Sequence, residues 1–156
     1  MKVIFLDIDG VLNTKKYRED STVDYFKKPI SETHMPFLEY IVKSTNAKIV
    51  LSSTWRIYWD NKKFQTDYFG EYINELFCKY NLEIFDKTPE LKDRNIEINE
   101  WKKFYRGRIE SFVIIDDFDF DWSEVNKKYW VKTADEIGLN EEFAKRAINI
   151  LNSEKM

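Results

Sequence analysis

Asp7-Ile8-Asp9-Gly10-Val11-Leu12-Asn13 follows directly on an unbroken apolar run, Val3-Ile4-Phe5-Leu6. A short apolar run closed by a turn signal reads as a strand buried in a parallel sheet, which sets both carboxylates at the carboxyl end of a central strand. Ligands of open α/β sheets bind at that end. Side chains alternate along a strand, so Asp7 and Asp9 face the same way, while Gly10 lets the backbone turn sharply and come close to a ligand. Two like charges so placed resist joint ionisation unless a cation lies between them. The pair therefore implies a bound Mg²⁺, one protonated member, or both. That is the chemistry of phosphoryl transfer through an aspartyl phosphate.

The tetrapeptide Asp-x-Asp-Gly also occurs in calcium loops and in ordinary turns. An EF-hand loop needs a preceding helix and a Glu at its twelfth position. Here a strand precedes the motif, and the twelfth residue counted from Asp7 is Arg18. A plain turn stays open on the heptapeptide alone; other segments of the chain weigh against it.

Strand-like runs at 2–7, 47–52, 82–86, 111–116 and 129–132 alternate with helix-like stretches, the pattern of βαβ units in a doubly wound parallel sheet. A helix is expected to begin just before Pro36, because proline is tolerated only in the first turn, with Phe37, Ile41 and Val42 as its buried stripe. Further helices are expected over 67–79 and 95–105. A last one follows Asn140, a good N-cap behind Gly138, and presents Phe143, Ala147, Ile150 and Leu151 to the sheet.

The 156 residues fit one compact domain, 1–156, with no repeat, linker or low-complexity tract. No apolar stretch approaches the roughly 18 residues needed to cross a bilayer, and there is no leader pattern at the start, so a cytoplasmic protein without membrane contact is expected. The lone Cys78 lies in a helical pattern and is expected to be buried and inert. His34 is the only histidine, which leaves a Ser-His-Asp hydrolase hard to build; a surface or capping role is expected for it.

Three more segments carry chemistry. Ala47-Lys48-Ile49-Val50-Leu51 runs into Ser52-Ser53-Thr54-Trp55-Arg56, a strand ending in hydroxyls that can hydrogen-bond a phosphoryl oxygen. Lys92-Asp93-Arg94 introduces a helix-like stretch with two cations. Ser111-Phe112-Val113-Ile114-Ile115 closes on the acidic pair Asp116-Asp117.

In this order and spacing the four segments resemble the motifs of the haloacid dehalogenase (HAD) superfamily of phosphohydrolases. The likeness is closest to a small subgroup with Leu-Asp-x-Asp-Gly-Val-Leu-Asn, Leu-Ser-Ser-Thr-Trp-Arg, Ile-Asp-Asp and a Gly-Leu before the last helix, here Gly138-Leu139. Those proteins are similar to the HAD domain of multi-domain RNA-repair proteins. One departure is Asn95, where such sequences often carry Gly.

The resemblance implies a three-layer α/β/α Rossmann-like fold with a mostly parallel sheet and a Mg²⁺-dependent phosphomonoesterase. It assigns Asp7 as the nucleophile and Asp9 as general acid and base. Ser52 and Arg94 hold the phosphoryl group, with Lys92 the alternative third-motif cation; Gly10, Ser53 and Arg56 lie against substrate. The metal falls to Asp7, the backbone carbonyl of Asp9, and Asp116, with Asp117 supporting its shell. Asn13 is expected to stabilise the turn, and an ion pair beneath the loop is an equal alternative for Arg56.

Larger relatives carry a cap domain between motifs; the gaps 14–46 and 57–91 leave no room for one. An open site favours a bulky phosphorylated substrate such as a nucleic-acid end, although a nucleotide would satisfy the same core. Lys15, Lys16, Arg18, Lys27, Lys28, Arg56, Lys62 and Lys63 are interleaved with Tyr17, Tyr25, Phe26, Tyr58, Trp59, Phe64 and Tyr68. That mixture suits a single strand, with cations for phosphates and rings for bases, and equally suits loop packing and solvated lysines. The formal net charge is −3, so any such attraction is local. The basic run 102–108 is expected in a solvated turn at the opposite sheet edge. The rival reading is a non-catalytic phosphate-binding or regulatory module with a HAD or receiver-like fold, which would leave Asp9 without a task. A mutase, which needs a cap to retain its intermediate, ranks behind both.

Overall fold

The apolar run at the start of the chain is β1 (Lys2–Leu6), the middle strand of a five-stranded sheet in the computed structural model, which describes residues 1–153. Its neighbours are β2 (Lys48–Leu51) and β4 (Ser111–Asp116), with β3 (Ile84–Lys87) and β5 (Trp130–Lys132) at the edges. Every pairing is parallel, in the order β3-β2-β1-β4-β5. A middle strand has neighbours on both edges and helices on both faces, which is why 3–6 is apolar without a break.

Alternation along β1 divides its side chains between two cores. Ile4 and Leu6 pack with Ile49, Leu51, Val113 and Ile115 under α2 (Met35–Thr45), α3 (Tyr68–Lys79) and α6 (Glu141–Asn152). Val3 and Phe5 pack with Val50, Phe112 and Ile114 under α4 (Arg94–Phe104), where the ring of Phe5 meets Trp101 edge-on at 5.4 Å. The result is the three-layer Rossmann-like arrangement, with no cap domain among the described residues. Two short helices complete it, α1 (Lys15–Arg18) and α5 (Glu124–Lys128), neither of them expected from the pattern. Both are about a turn long, too short to leave a period in the sequence.

Helix positions follow from their caps: Asp67 accepts from Phe69 N, Asp93 from Ile96 N and Asn140 from Phe143 N, each at 2.9 Å. The stripes differ in detail from the sequence reading. In α2 the fully sheltered residues are Met35, Leu38 and Ile41, while Phe37 and Val42 flank them; in α6 Ala144 takes the place of Ile150 beside Phe143, Ala147 and Leu151. Cys78 is exposed, because Ile73, Leu76 and Phe77 take the inner face of α3 and leave it turned outward. His34 is buried rather than on the surface. Its Nδ1 lies 2.9 Å from the Leu139 carbonyl, to which it donates, and its ring fills the space above Gly138, where a β-carbon would strike it. Lys102 likewise leaves the solvated run: its Nζ sits 4.2 Å from the Phe112 ring centroid and donates to Asn126 Oδ1, and burial lowers its pKa to about 8.

Candidate active site

Register delivers the carboxylates. Leu6 pairs with Ile115 and with Leu51, so the next residues, Asp7, Asp116 and Ser52, emerge side by side at the carboxyl ends of β1, β4 and β2. The chain order reverses between β1 and β4, the switch point where open sheets leave a crevice. Among the described residues, Asp7, Asp116 and Asp117 each offer a carboxylate oxygen, all within 4.8 Å of one another. Asp7 is 7% exposed and Asp116 1%.

Burial pushes the Asp7 carboxyl well above the usual carboxylate range, and the neighbouring charge of Asp116 pushes it further. Asp116 is raised chiefly by burial, with Arg94 pulling the other way. Asp117, about half buried, rises to about 6 through burial and the charges of Asp116 and Asp135. Three acids that resist ionising together are relieved by one divalent cation, and an all-oxygen donor set suits a hard ion such as Mg²⁺. The donors therefore fit that metal.

Arg94 stands at the first position of α4, placed there by the Asp93 cap. A single nitrogen, Nη1, lies 2.8 Å from Asp116 Oδ2 and 3.4 Å from Asp7 Oδ1. The ring of Phe120, 4.5 Å from the guanidinium carbon, covers it. Lys92 is exposed and has no such contacts. Asn95, the departure from the family pattern, accepts from Ser123 N and Asn126 Nδ2, tying α4 to the segment that starts α5. Ser52 is 1% exposed and its hydroxyl has no hydrogen-bond partner. Such an orphan is rare, since a buried hydroxyl without a partner costs about 1–3 kcal/mol. The Ser53 side chain instead caps the following turn by accepting from Trp55 N at 3.2 Å.

Gly10 has φ +82°, and a β-carbon there would collide with the Asp117 carboxyl. Its own carbonyl accepts from Thr133 Oγ1 at 2.8 Å. Asn13 does stabilise the turn: it is fully buried, accepts from Gly10 N, and donates to Asp9 Oδ1 and the Pro29 carbonyl. Arg18 reaches the same Asn13 oxygen while holding Asp135 with two nitrogens.

Asp9 is gripped by residues that sequence spacing did not single out as its partners. Oδ1 accepts from Tyr25 Oη at 2.7 Å and Asn13 Nδ2 at 2.8 Å; Oδ2 accepts from Trp55 Nε1 at 3.3 Å. Burial and the Asp9 carboxylate hold the Tyr25 hydroxyl well above its usual range, so it stays a donor. Tyr25 and Trp55 come from segments 16 and 46 residues away, and only the fold brings them in.

Arg56 occupies the place of the alternative reading. Its guanidinium nitrogens go to Ser53 O, Thr88 O, Pro89 O and, at 2.6 Å, Glu97 Oε2, both side chains about 6% exposed. Every nitrogen is committed to the protein beneath the loop. Asp119 accepts from Asp121 N and fixes its own turn, and it is not part of the carboxylate cluster.

Beside Asp9 opens a cleft of about 700 Å³ whose wall is largely aromatic. Compared with known sequences, residues 3–144 match the family described as "HAD domain in Swiss Army Knife RNA repair proteins". A search among curated proteins found no match. No described helix is long and apolar enough to cross a membrane.

Proposed function

The chain belongs to the family of HAD domains found in Swiss Army Knife RNA repair proteins, and from that premise and the site's geometry we propose that it is a Mg²⁺-dependent phosphomonoesterase working through Asp7 on nucleic-acid ends or nucleotides. The observation that carries the reading is the convergence of Asp7, Asp116 and Asp117 at adjacent strand ends with Arg94 beside them.

Asp7, Asp116 and Asp117 would hold the ion, and the Asp9 backbone carbonyl would be a further ligand. When bound, it supplies positive charge that neutralises phosphate oxygens and lets the carboxylates ionise together. Asp7 then attacks phosphorus with one carboxylate oxygen; the bond from phosphorus to the leaving oxygen breaks and an aspartyl phosphate remains. Asp9 gives the departing alkoxide a proton. In the second half it takes a proton from water, whose oxygen attacks phosphorus and breaks the bond to Asp7, releasing inorganic phosphate. Asp9 Oδ1 already accepts two short hydrogen bonds, which leaves Oδ2, with one longer contact, to carry the proton. The unpartnered Ser52 hydroxyl and the Arg94 guanidinium hold the non-bridging oxygens.

The test is phosphate release from 3′- and 5′-phosphorylated oligonucleotides, mononucleotides and an aryl phosphate, with Mg²⁺ or a chelator, for the wild type and Asp7→Asn. Turnover that needs the metal and is lost in the variant is the expected result. A folded protein with no turnover on any of them favours a phosphate-binding module instead.

A further inference from the structure

The cleft next to Asp9 lies between the Tyr25–Lys27 loop, the 54–58 turn and the start of α3. Tyr25, Trp55 and Phe69 form its floor by packing on one another, with Trp55 stacked on Phe69 at 5.0 Å and edge-on to Tyr25 at 5.5 Å. Its rim is different. Phe26 is 83% exposed, Tyr68 56% and Tyr58 43%, though all three sit beside a wall of rings that could shelter them. Exposed rings gathered around one cleft mark a binding surface.

Three features identify the occupant. Asp9 is itself part of the cleft wall, so whatever fills the cleft is attached to the oxygen that Asp9 protonates: the leaving group. Flat apolar walls of stacked and edge-on rings match a planar aromatic system. Lys27 is the one cation among the lining residues, against the carboxylates of Asp9 and Asp67, and being exposed it can meet a neighbouring phosphate. Resting on the phosphatase reading above, we propose that this cleft is a leaving-group subsite that stacks the base of the terminal, phosphate-bearing nucleotide of a single-stranded nucleic acid, with Phe26 and Tyr58 as the stacking rings and Lys27 on the adjoining backbone phosphate. The fixed floor does double duty: Tyr25 and Trp55 aim Asp9 and also form the surface on which the base lies. With no cap among the described residues to close over substrate, the subsite takes over the selection of the leaving group.

The experiment compares two oligonucleotides that differ only in the terminal residue bearing the phosphate, one a normal nucleotide and the other a tetrahydrofuran abasic analogue. Base stacking on aromatic side chains has the strength to make kcat/KM about ten- to a hundredfold higher for the base-bearing end. In Phe26→Ala and Tyr58→Ala that ratio should fall toward one. Equal turnover of the two ends by the wild type, or an unchanged ratio in both variants, would overturn the subsite. A mononucleotide turned over as well as the oligonucleotide would overturn its assignment to a polymer end. Direct binding of the same pair, by fluorescence anisotropy with Asp7→Asn, separates the two readings. Base-dependent binding without turnover in the wild type keeps the subsite and sinks the phosphatase; turnover without base preference does the reverse. A wild-type dimer in sedimentation that Phe26→Ala converts to monomer would mean the rings face a second copy, and would also overturn the proposal.

Discussion

The Asp117 carboxyl rests directly on Gly10, filling the place a β-carbon would occupy there. The tight turn after β1 therefore does more than let the chain change direction: it makes room for the third acid of the cluster. Gly107 has nearly the same backbone angle, φ +84°, but open space around it. Alanine at either position carries the strain of a left-handed residue, about 1–2 kcal/mol. Only Gly10→Ala also displaces Asp117. In thermal unfolding with and without Mg²⁺, Gly107→Ala should keep the full stabilisation by the ion, and Gly10→Ala should lose most of it.

Without metal the three acids are a burden on the fold, and its pH dependence follows in sign. Asp117 titrates near 6 in the folded chain against about 4 unfolded, so the fold prefers its neutral form. The stability this gives is complete below pH 4 and is lost as the pH rises through about 6. Two units correspond to about 3 kcal/mol, reduced to about 1–2 kcal/mol because the group is partly exposed to screening solvent. Asp7 and Asp116 shift the same way and add to it. Asp20 and Glu32, held low by hydrogen bonds to Thr22 and to Lys79, act only at lower pH. Denaturant unfolding of metal-free protein should show greater stability at pH 5 than at 7.5. Asp117→Asn should flatten part of that slope, and Mg²⁺ should stabilise most above pH 6.

Ser52 separates folding from chemistry. Its hydroxyl is buried without a partner, so Ser52→Ala removes an unmet hydrogen bond and should leave stability unchanged or raise it by up to about 1 kcal/mol. If the hydroxyl is reserved for a phosphoryl oxygen, kcat/KM should fall by about a hundredfold in the same variant. A loss of stability with full activity would make the serine structural.

Arg56 and Glu97 are 41 residues apart and meet at 2.6 Å, buried. Glu97 also accepts from Leu91 N. Glu97→Ala strands a buried guanidinium and should cost about 3–5 kcal/mol, whereas the double variant Arg56→Met with Glu97→Leu should recover only part of that, because it leaves the carbonyls of Ser53, Thr88 and Pro89 and the Leu91 N–H without their partners. If the double variant folds and its KM stays within about twofold, Arg56 is an anchor of the loop and not a contact to substrate.

These cases mark how far the chain could be read in advance. Asp7, Ser52, Asp116 and Asp117 were legible because each ends or follows an apolar run, and a parallel sheet aligns such ends without any knowledge of loops; Asp9 lies in the turn beyond β1, and its carboxylate, expected beside that of Asp7, is held by Tyr25, Asn13 and Trp55 outside the three-acid cluster. Arg94 was legible as a cation at a helix start; the choice over Lys92 depended on which side chain the Asp93 cap turns inward. The partner of Arg56 and the donors to Asp9 were not, since Glu97, Tyr25 and Trp55 lie in other segments and only tertiary packing decides which side chains meet. The ring of Tyr25 is visible in the sequence as an aromatic among lysines, and Trp55 only as part of Ser52-Ser53-Thr54-Trp55-Arg56. Their hydrogen bonds to a carboxylate had no signature of their own.

Asp9 gives a test that depends on the leaving group. An alkoxide is a poor leaving group and needs its proton, while an aryl oxide carrying a nitro group departs unaided. Asp9→Asn cannot donate that proton, so kcat on an oligonucleotide phosphate should fall by about 10²–10⁴, and formation of the aspartyl phosphate from a nitrophenyl phosphate should fall much less. Hydrolysis of the intermediate also needs Asp9, now as a base. With the nitrophenyl substrate the variant should therefore release a burst of nitrophenolate stoichiometric with enzyme and then slow. Tyr25→Phe keeps the acid but removes its 2.7 Å donor, and should show a milder loss on the alkyl ester without a burst. Equal losses on both substrates in Asp9→Asn, with no burst, would mean that Asp9 holds the turn or the metal and takes no part in proton transfer.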